Sequence, residues 1–286
     1  MGESDAGAAQ RRRHLTGVAL ALAAGVLWSF GGLLIKWVEW NPIAIAGARS
    51  AIAAVVLLAF VRRPRFTWTP AQIGAALAYT VTVLTFVSAT RLTTAANAVL
   101  LQYTAPVYAA IFGWILLRER VTWRDMVTIA VVLSGMALFF LDRLTPGGML
   151  GNVLAVVSGA SFSLMATLLR VQRNSSPLDS VLLGNLLTAI VSLPWMLGSA
   201  PGGSTWIGIV LLGVFQLGLS YVLFAEAVKR ITALEAVLVP TVEPILSPLW
   251  VMLLLHETPG PWATAGGAVV LGAVTLRCAV RAVRGV

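Results

Sequence analysis

Charged residues are scarce in this sequence, and their scarcity excludes a soluble globular protein. Lys, Arg, Asp and Glu make up 11% of the 286 residues, while 58% are hydrophobic. A soluble domain carries about 25% charged residues, so this chain has too few polar groups to cover a surface in water. The mean hydropathy of +0.89 agrees. The composition predicts an integral membrane protein surrounded by the lipid bilayer.

Cysteines and catalytic motifs are also scarce. Cys278 is the single cysteine, which excludes an internal disulfide or a thiolate cluster, and the acidic and histidine residues are too scattered for metal-ligand spacing. The sequence contains no HExxH motif, no glycine-rich phosphate loop and no G-x-S-x-G motif. These absences give no support to an enzyme and predict a protein without a metal or cofactor.

Long apolar runs are abundant instead. After a polar tail (1–14), runs long enough to cross a bilayer follow one another with short connections. They predict an all-α integral membrane protein with ten transmembrane helices. The predicted spans are 15–35, 42–61, 70–90, 94–117, 122–141, 149–169, 178–198, 205–227, 232–255 and 261–280.

Positive charge is unevenly distributed among the connections. An excess of nine positive charges could indicate a nucleic-acid partner. With the N-terminus inside, however, 16 of the 20 Lys and Arg fall in inner segments, Arg49 lies in a span, and only Lys36, Arg91 and Arg143 lie outside. Such a bias sets membrane orientation. We therefore expect no nucleic acid, both termini in the cytoplasm, and a monomer or homodimer in the cytoplasmic membrane.

One stretch of the sequence occurs twice. Shifted by 138 residues, Thr94–Glu119 lies over Thr232–Glu257 with nine identities in 26 positions, among them Pro106 on Pro244. The chain is therefore predicted to be a duplication, with repeats at 15–141 and 149–281. Because each repeat holds five spans, an odd number, the second enters the membrane from the opposite side. Inverted repeats of this kind are typical of secondary transporters.

Prolines lie inside the repeated spans. Pro240, Pro244 and Pro248 recur at every fourth residue and so share one stripe of a helix, and Pro106 lies in the equivalent first-half span. Each proline removes a backbone donor and frees the carbonyl four residues earlier. In lipid that carbonyl needs a partner within the protein or a water-filled cavity. We expect kinks at these four prolines.

Four stretches carry a resemblance to a known family. They are AAGVLWSF (23–30) with Arg49 downstream, ANAVLLQYTAPVYAAIFGWILLRE (96–119), SGASFSLMATLLR (158–170) and YVLFAEAVKRITALEAVLVPTVEPILSPLWVMLLLHE (221–257). This pattern resembles the EamA family of the drug/metabolite transporter superfamily. The resemblance implies ten helices around a central cavity, lined by the first four helices of each half, with the fifth and tenth packed outside. It implies transport of varied metabolites and names no particular substrate.

Two opposite charges lie at nearly the same depth of the membrane. At 1.5 Å per residue, Arg49 lies about 10 Å below the outer boundary and Glu243 about 18 Å above the inner one, in a core of ~30 Å. A charge there costs roughly 2.5–3.5 kcal/mol. The two residues either form a structural ion pair or line the cavity, with a substrate carboxylate on Arg49 and a proton or cation on Glu243. Glu119, Glu257, Glu226 and Glu235 lie near span ends and are expected to be structural.

Uncharged polar and aromatic side chains in mid-span complete the candidate substrate site. A single buried polar side chain most often bonds across helices. Several aromatics and amides at one depth suit an amphipathic organic solute better than a bare ion. The predicted substrate-binding residues are Trp28, Arg49, Tyr79, Asn97, Gln102, Tyr103, Ser161, Gln216, Tyr221 and Glu243.

Together these patterns predict a secondary transporter working by alternating access. Its expected substrate is a small organic metabolite, amino-acid-like or amphipathic, with export as the expected direction and a proton or another ion as coupling partner. A passive facilitator or channel stays open as an alternative. A membrane-embedded enzyme is the weaker alternative, because the sequence offers neither a nucleophile nor a metal site.

Overall fold

The structure, a computed structural model, describes residues 2–93, 95–141, 148–198, 201–203, 205–246, 250 and 261–284. Within these residues every regular element is helical. The α-helices are α1 (Gly2–Trp28), α2 (Gly31–Trp37), α3 (Pro42–Val61), α4 (Pro70–Leu92), α5 (Ala95–Gln102), α6 (Ala105–Leu117), α7 (Trp123–Leu141), α8 (Met149–Val171), α9 (Pro177–Leu197), α10 (Thr205–Leu211), α11 (Ser220–Ala227), α12 (Ala233–Leu238) and α13 (Pro261–Arg284). A π-helix (Leu212–Leu219) joins α10 to α11, and a 3₁₀-helix (Val239–Val242) follows α12.

Six helical segments of the described residues are long and apolar enough to cross a membrane, so the protein is multi-pass. Ala105–Leu117 is a shorter apolar helix. The count of ten spans stays a prediction. The six segments are Ala8–Trp37, Pro42–Val61, Pro70–Leu92, Met149–Val171, Pro177–Leu197 and Thr205–Ala227.

Prolines and caps set the starts of several helices. α3, α4 and α9 each begin at a proline, where the missing N–H costs no helical bond. Asn41 caps α3 by accepting from Ile43 N at 2.9 Å. α1 differs from expectation, because it begins at Gly2 and makes most of the predicted polar tail helical. The Ala, Arg, Gln and Glu residues of that tail are good helix formers.

The first span, predicted as one helix over 15–35, is broken between α1 and α2. The break lies at Ser29–Phe30, where there is no proline. Ser29 Oγ donates to the Val26 carbonyl at 2.6 Å and accepts from Trp250 Nε1 at 2.7 Å, and the Trp250 ring stacks on Phe30. Serine side chains that bond to nearby carbonyls compete with the helical ladder.

Three further spans are irregular near their middles. α5 and α6 separate at Tyr103–Thr104, just before Pro106, and the 3₁₀-helix precedes Pro244 by two residues. Proline accounts for both, because it removes a helical donor. The π-helix of the 205–227 span has no proline in it. Pro248 lies outside the described residues.

The two halves pack through corresponding and reciprocal helices. α3 packs on α9 and α7 on α13, and each pair joins the same helix of the two repeats. α4 packs on α8 and α1 on α11, which are reciprocal pairs of the first and third spans. This pattern is that of a two-fold related pair of repeats, and the buried core runs between them.

Glycines allow close crossings of the two halves at equivalent places. A Cβ at Gly25 would lie 2.9 Å from Val242 Cγ1 and 3.0 Å from Pro240 Cα. A Cβ at Gly159 would lie 2.4 Å from the Gln102 carbonyl oxygen. Small residues let membrane helices approach this closely. The first span of each half therefore crosses the irregular fourth span of the other half at a glycine.

α7 and α13 pack chiefly on each other. The buried Asp125 carboxylate pairs with Arg277 between them. Asp125 also accepts from Thr122 N and Oγ1, both at 2.7 Å, at the start of α7. The ion pair therefore joins these two helices near the start of α7.

Candidate functional site

A cavity lies among the irregular spans. The space inside it for the centres of water-sized molecules amounts to about 50 Å³. Seven of the ten predicted substrate-binding residues line it: Trp28, Arg49, Gln102, Tyr103, Gln216, Tyr221 and Glu243. The other lining residues are Thr82, Val83, Phe86, Ala105, Phe162, Leu217 and Pro240. Both halves of the chain therefore contribute to one cavity.

The four interruptions of spans among the described residues all reach this cavity. Trp28 ends α1, Tyr103 lies between α5 and α6, Gln216 lies in the π-helix and Pro240 in the 3₁₀-helix. Irregular backbone at membrane depth is tolerated only where it is buried in protein or lines a cavity. Discontinuous spans form the substrate sites of many transporters. The interrupted helices and the predicted substrate-binding side chains therefore meet at the same cavity.

Arg49 carries a positive charge into the cavity wall. Its side chain lies in the second turn of α3 and is 1% exposed. Nη1 donates to Gln216 Oε1 at 2.9 Å, while Nε is buried without a hydrogen-bond partner. Among the described residues no carboxylate oxygen lies within 4.0 Å of the guanidinium. The charge is therefore held by a neutral amide and faces the cavity.

Glu243 brings the opposite charge to the same cavity. It is 6% exposed and follows the 3₁₀-helix. The Tyr103 hydroxyl donates to Glu243 Oε2 at 2.8 Å, and the Pro240 carbonyl oxygen lies 3.0 Å from that hydroxyl. Pro244, four residues further on, supplies no N–H to that carbonyl. The Tyr103 hydroxyl therefore lies between the carboxylate and the carbonyl that the proline frees, and its single proton can be donated to either.

Arg49 and Glu243 do not form the structural ion pair that the sequence left open. Both are described, both line the cavity, and each is bonded to a neutral side chain. Two buried opposite charges without mutual contact each keep a capacity for a further partner. A ligand between them could use that capacity.

Aromatic rings form one wall of the cavity. The Trp28 ring lies 5.6 Å from Phe162, 5.2 Å from Tyr221 and 5.1 Å from Phe224, between ring centroids. Edge-to-face and tilted arrangements at these distances are favourable. Phe224 is fully buried behind the other three. The cavity therefore has an apolar aromatic wall beside its two charged groups.

Two rings of the cavity wall are related by the repeat. An offset of 134 residues relates Gly25 to Gly159 and also Trp28 to Phe162, whose rings touch each other. Glu243 has Ala105 as its mate. The cavity therefore lies at the junction of the repeats, and its charges break their symmetry.

Two predicted site residues do not line the cavity, and the side chain of a third is not described. The Tyr79 hydroxyl donates to Asn185 Oδ1 at 2.9 Å, and its ring packs on Tyr221 at 4.9 Å, so Tyr79 lies behind the wall. Ser161 is half-buried and away from the lining. The side chain of Asn97 lies outside the described residues. α9 supplies no described lining residue, although the resemblance implied one, and its Asn185 bonds to Tyr79.

Seven lining residues were not among the predicted substrate-binding residues: Thr82, Val83, Phe86, Ala105, Phe162, Leu217 and Pro240. A phenylalanine in an apolar span carries no polar signal of its own. The repeat could have found Phe162, because it has the same offset from Trp28 that Gly159 has from Gly25. Val83 and Leu217 offer no signal that separates them from their apolar neighbours.

The glutamates near the span ends have structural partners. Glu119 Oε2 accepts from Ala233 N at 3.1 Å and so caps α12, while its Oε1 lies 3.4 Å from Arg170 Nε. Glu235 completes a capping box with Thr232 and bonds His14 Nε2 at 3.0 Å. Glu226 pairs with Lys229 and Arg230. Glu257 lies outside the described residues.

Comparisons with known proteins agree with this architecture. The EamA-like transporter family matches residues 15–141 and 149–277. An "Uncharacterized transporter" of Archaeoglobus fulgidus is 26% identical over 263 residues, which cover 91% of this chain and 95% of that protein. A "Probable terminal-alkyne amino-acid exporter" of Streptantibioticus cattleyicolor is 31% identical over 285 residues, covering 95% and 83%. One crystal structure, 19% identical, superposes with a TM-score of 0.78 over 93% of this chain and 98% of its own.

Proposed function

The chain belongs to the EamA-like transporter family, and we propose that it exports a small zwitterionic, amphipathic metabolite by alternating access. Membership confirms the resemblance seen in the sequence and makes the protein a membrane transporter. The substrate class, direction and coupling are the proposed part. The proposed location is the cytoplasmic membrane, with both termini in the cytoplasm.

The proposal depends on two oppositely charged residues that line one cavity without contacting each other. Arg49 and Glu243 each use only a neutral partner, Gln216 and Tyr103 respectively. A buried charge without a counter-ion is costly, and a zwitterion satisfies both charges at once. Its carboxylate would bind Arg49, and its ammonium group would bind Glu243. A singly charged solute would leave one of them unpaired.

The aromatic wall accounts for the amphipathic part of the proposal. Trp28, Phe162 and Tyr221 present apolar ring surface next to the charged groups. Ligand sites are mostly apolar with a few polar groups that fix orientation. A zwitterion with an apolar side chain fits this division, and an amino acid is the simplest such molecule. The name of the Streptantibioticus relative, an amino-acid exporter, supports both the class and the direction.

The repeat supplies the proposed means of alternating access. Breaks in the first, fourth, eighth and ninth predicted spans meet at the cavity and give the helices places to bend. Rocking of one repeat against the other around a fixed site is the usual motion of such folds. Glu243 is the candidate for ion coupling, because a carboxylate can exchange the substrate's ammonium group for a proton.

Exchange in proteoliposomes tests the substrate class. The probes are leucine, isoamylamine, which lacks the carboxylate, and isocaproate, which lacks the ammonium group. We expect wild-type protein to exchange labelled leucine fastest. Arg49→Gln should slow the exchange of leucine and isocaproate and leave that of isoamylamine unchanged. Glu243→Gln should slow the exchange of leucine and isoamylamine and leave that of isocaproate unchanged. Equal effects of both variants on all three probes would contradict the assignment.

The same vesicles separate a coupled carrier from a passive facilitator. An imposed proton gradient should drive leucine above its equilibrium distribution if transport is coupled to protons. Uptake that stops at equal concentrations under every tested gradient would favour the facilitator.

A further inference from the structure

Gln216 lies in the only π-helix among the described residues and reaches the guanidinium of Arg49 from there. Its side chain is 5% exposed and lines the cavity, and Oε1 accepts from Arg49 Nη1 at 2.9 Å. π-helical turns are rare and are frequently found at functional sites. The amide orientation is fixed chemically, because a guanidinium only donates and must therefore meet the amide oxygen.

The π-helix rests directly on α3, which carries Arg49. A Cβ at Gly213 would lie 2.6 Å from Ile52 Cβ and 2.9 Å from the Arg49 carbonyl oxygen. No side chain larger than hydrogen fits there without displacing α3. This close approach of the π-helix to α3 brings the Gln216 side chain within hydrogen-bonding distance of Arg49.

A second glycine encloses the other end of the amide. A Cβ at Gly31, the first residue of α2, would lie 2.9 Å from Gln216 Nε2. The amide therefore lies between the backbone of Gly31 and the guanidinium.

The chemistry of the contact is unusual for a buried arginine. Charged side chains inside membranes normally pair with one another or with backbone carbonyls. Glutamate has nearly the shape of glutamine and would accept the same hydrogen bond while neutralising the charge. With glutamine, Arg49 keeps its full charge, and its Nε stays without a partner.

We propose that Gln216 is a specificity-determining residue: it positions Arg49 without neutralising it, so that the guanidinium is kept for the anionic group of the substrate. The inference rests on the proposed function, in which that group is a carboxylate. Gln216 acts through Arg49 and sets which charge class the cavity accepts. A carboxylate at position 216 would occupy the guanidinium in place of the substrate.

The test compares Gln216→Glu with wild type in binding and stability. Q216E should lower the affinity for isocaproate and leucine about tenfold or more, the value of a charge-assisted hydrogen bond, and should leave isoamylamine unchanged or tighter. The melting temperature of ligand-free Q216E should rise, because a buried charge gains a counter-ion. Q216E that binds isocaproate as tightly as wild type would overturn the proposal.

Gln102→Glu is the matched control, because it adds the same charge to the same cavity at a residue that bonds Ser158. It should give no gain in melting temperature. A gain of the same size in Q102E would show that the effect is not specific to Arg49 and would overturn the proposal.

A double-mutant cycle tests the proposal without any substrate. Arg49→Met in wild type should leave the melting temperature unchanged or raise it, since it removes a buried unpaired charge. In Q216E the same change should lower the melting temperature, since it leaves the new carboxylate buried without a counter-ion. If R49M lowers both equally, Arg49 is structural and the proposal fails. If the cycle succeeds while none of the three probes binds, only the proposed substrate class fails.

Discussion

At the scale of single residues, Glu243 is the side chain whose role can be separated most cleanly from the fold. We expect Glu243→Gln to fold normally, because the Tyr103 hydroxyl can donate to an amide oxygen as well as to a carboxylate oxygen. The variant should lose the pH dependence of leucine transport, because it can no longer exchange a proton. The measurement is a pH series of transport in proteoliposomes. If Glu243→Gln keeps the wild-type pH dependence of transport, Glu243 does not couple transport to protons.

Tyr103 offers a prediction about stability at the same place. Tyr103→Phe removes one hydroxyl that faces both the Glu243 carboxylate and the Pro240 carbonyl. Leaving buried acceptors without a donor costs about 1–3 kcal/mol, so the melting temperature should fall. Tyr108→Phe is the control, since the Tyr108 hydroxyl makes no hydrogen bond among the described residues and its ring is only half-buried. An equal fall in both variants would show that the Tyr103 hydroxyl has no special role.

The charged candidates could be predicted from the sequence, but their partners could not. Arg49 and Glu243 were visible because a charge in an apolar run is conspicuous and expensive. Their partners lie far away in the sequence: Gln216 is 167 residues from Arg49, and Tyr103 is 140 residues from Glu243. Depth alone suggested that the two charges could meet each other. In the structure each charge instead bonds to a neutral side chain of an interrupted span.

At the scale of helices, the sequence could predict an interruption only where proline causes it. Pro106 and Pro244 indicated kinks, and the chain is irregular just before each. The break at Ser29–Phe30 coincides with the local bond from Ser29 to the Val26 carbonyl and with a hydrogen bond from Trp250, more than 200 residues away. The π-helix lies in close contact with α3 at Gly213. The contacts with Trp250 and α3 are long-range, so no local pattern could indicate them.

Glu119 gives a prediction about a helix end that is capped from the other half of the chain. Glu119→Ala should lower stability by about 1 kcal/mol, the typical value of a cap, because Ala233 N loses its acceptor and Arg170 loses its carboxylate. Glu226→Ala is the control, since Glu226 is well exposed and pairs only with its own helix-end neighbours. Exposed pairs contribute little. Thermal unfolding in detergent should therefore separate the two variants, and similar values for both would contradict the inter-repeat cap.

At the scale of the whole molecule, the duplication could be seen in the sequence, while its geometry could not. The 138-residue shift showed that two halves exist. It did not show that α3 packs on α9 and α4 on α8, each in the other half. Nor did it show that Trp28 and Phe162 meet where the halves join. Apolar spans resemble one another too closely for pairings to be derived from composition.

Membrane orientation is the prediction that belongs to this scale. Reporter fusions after residues 65, 122 and 286 should report the cytoplasm, and fusions near 40, 145 and 202 the outside. The reason is the 16-to-3 distribution of Lys and Arg between inner and outer segments, which sets topology. An external C-terminus would mean an odd number of crossings and would exclude the inverted arrangement.

The pairing of helices across the halves also constrains how the protein can be made. Arg49 is synthesised 167 residues before Gln216, and Glu119 is synthesised 114 residues before Ala233. At roughly 5–20 residues per second, the ribosome needs on the order of ten seconds to deliver the partner of Arg49. During that delay the first half stands in the membrane with its largest packing surfaces uncovered. Biogenesis therefore favours keeping both halves on one chain, because the second half, which completes the first, always arrives beside it.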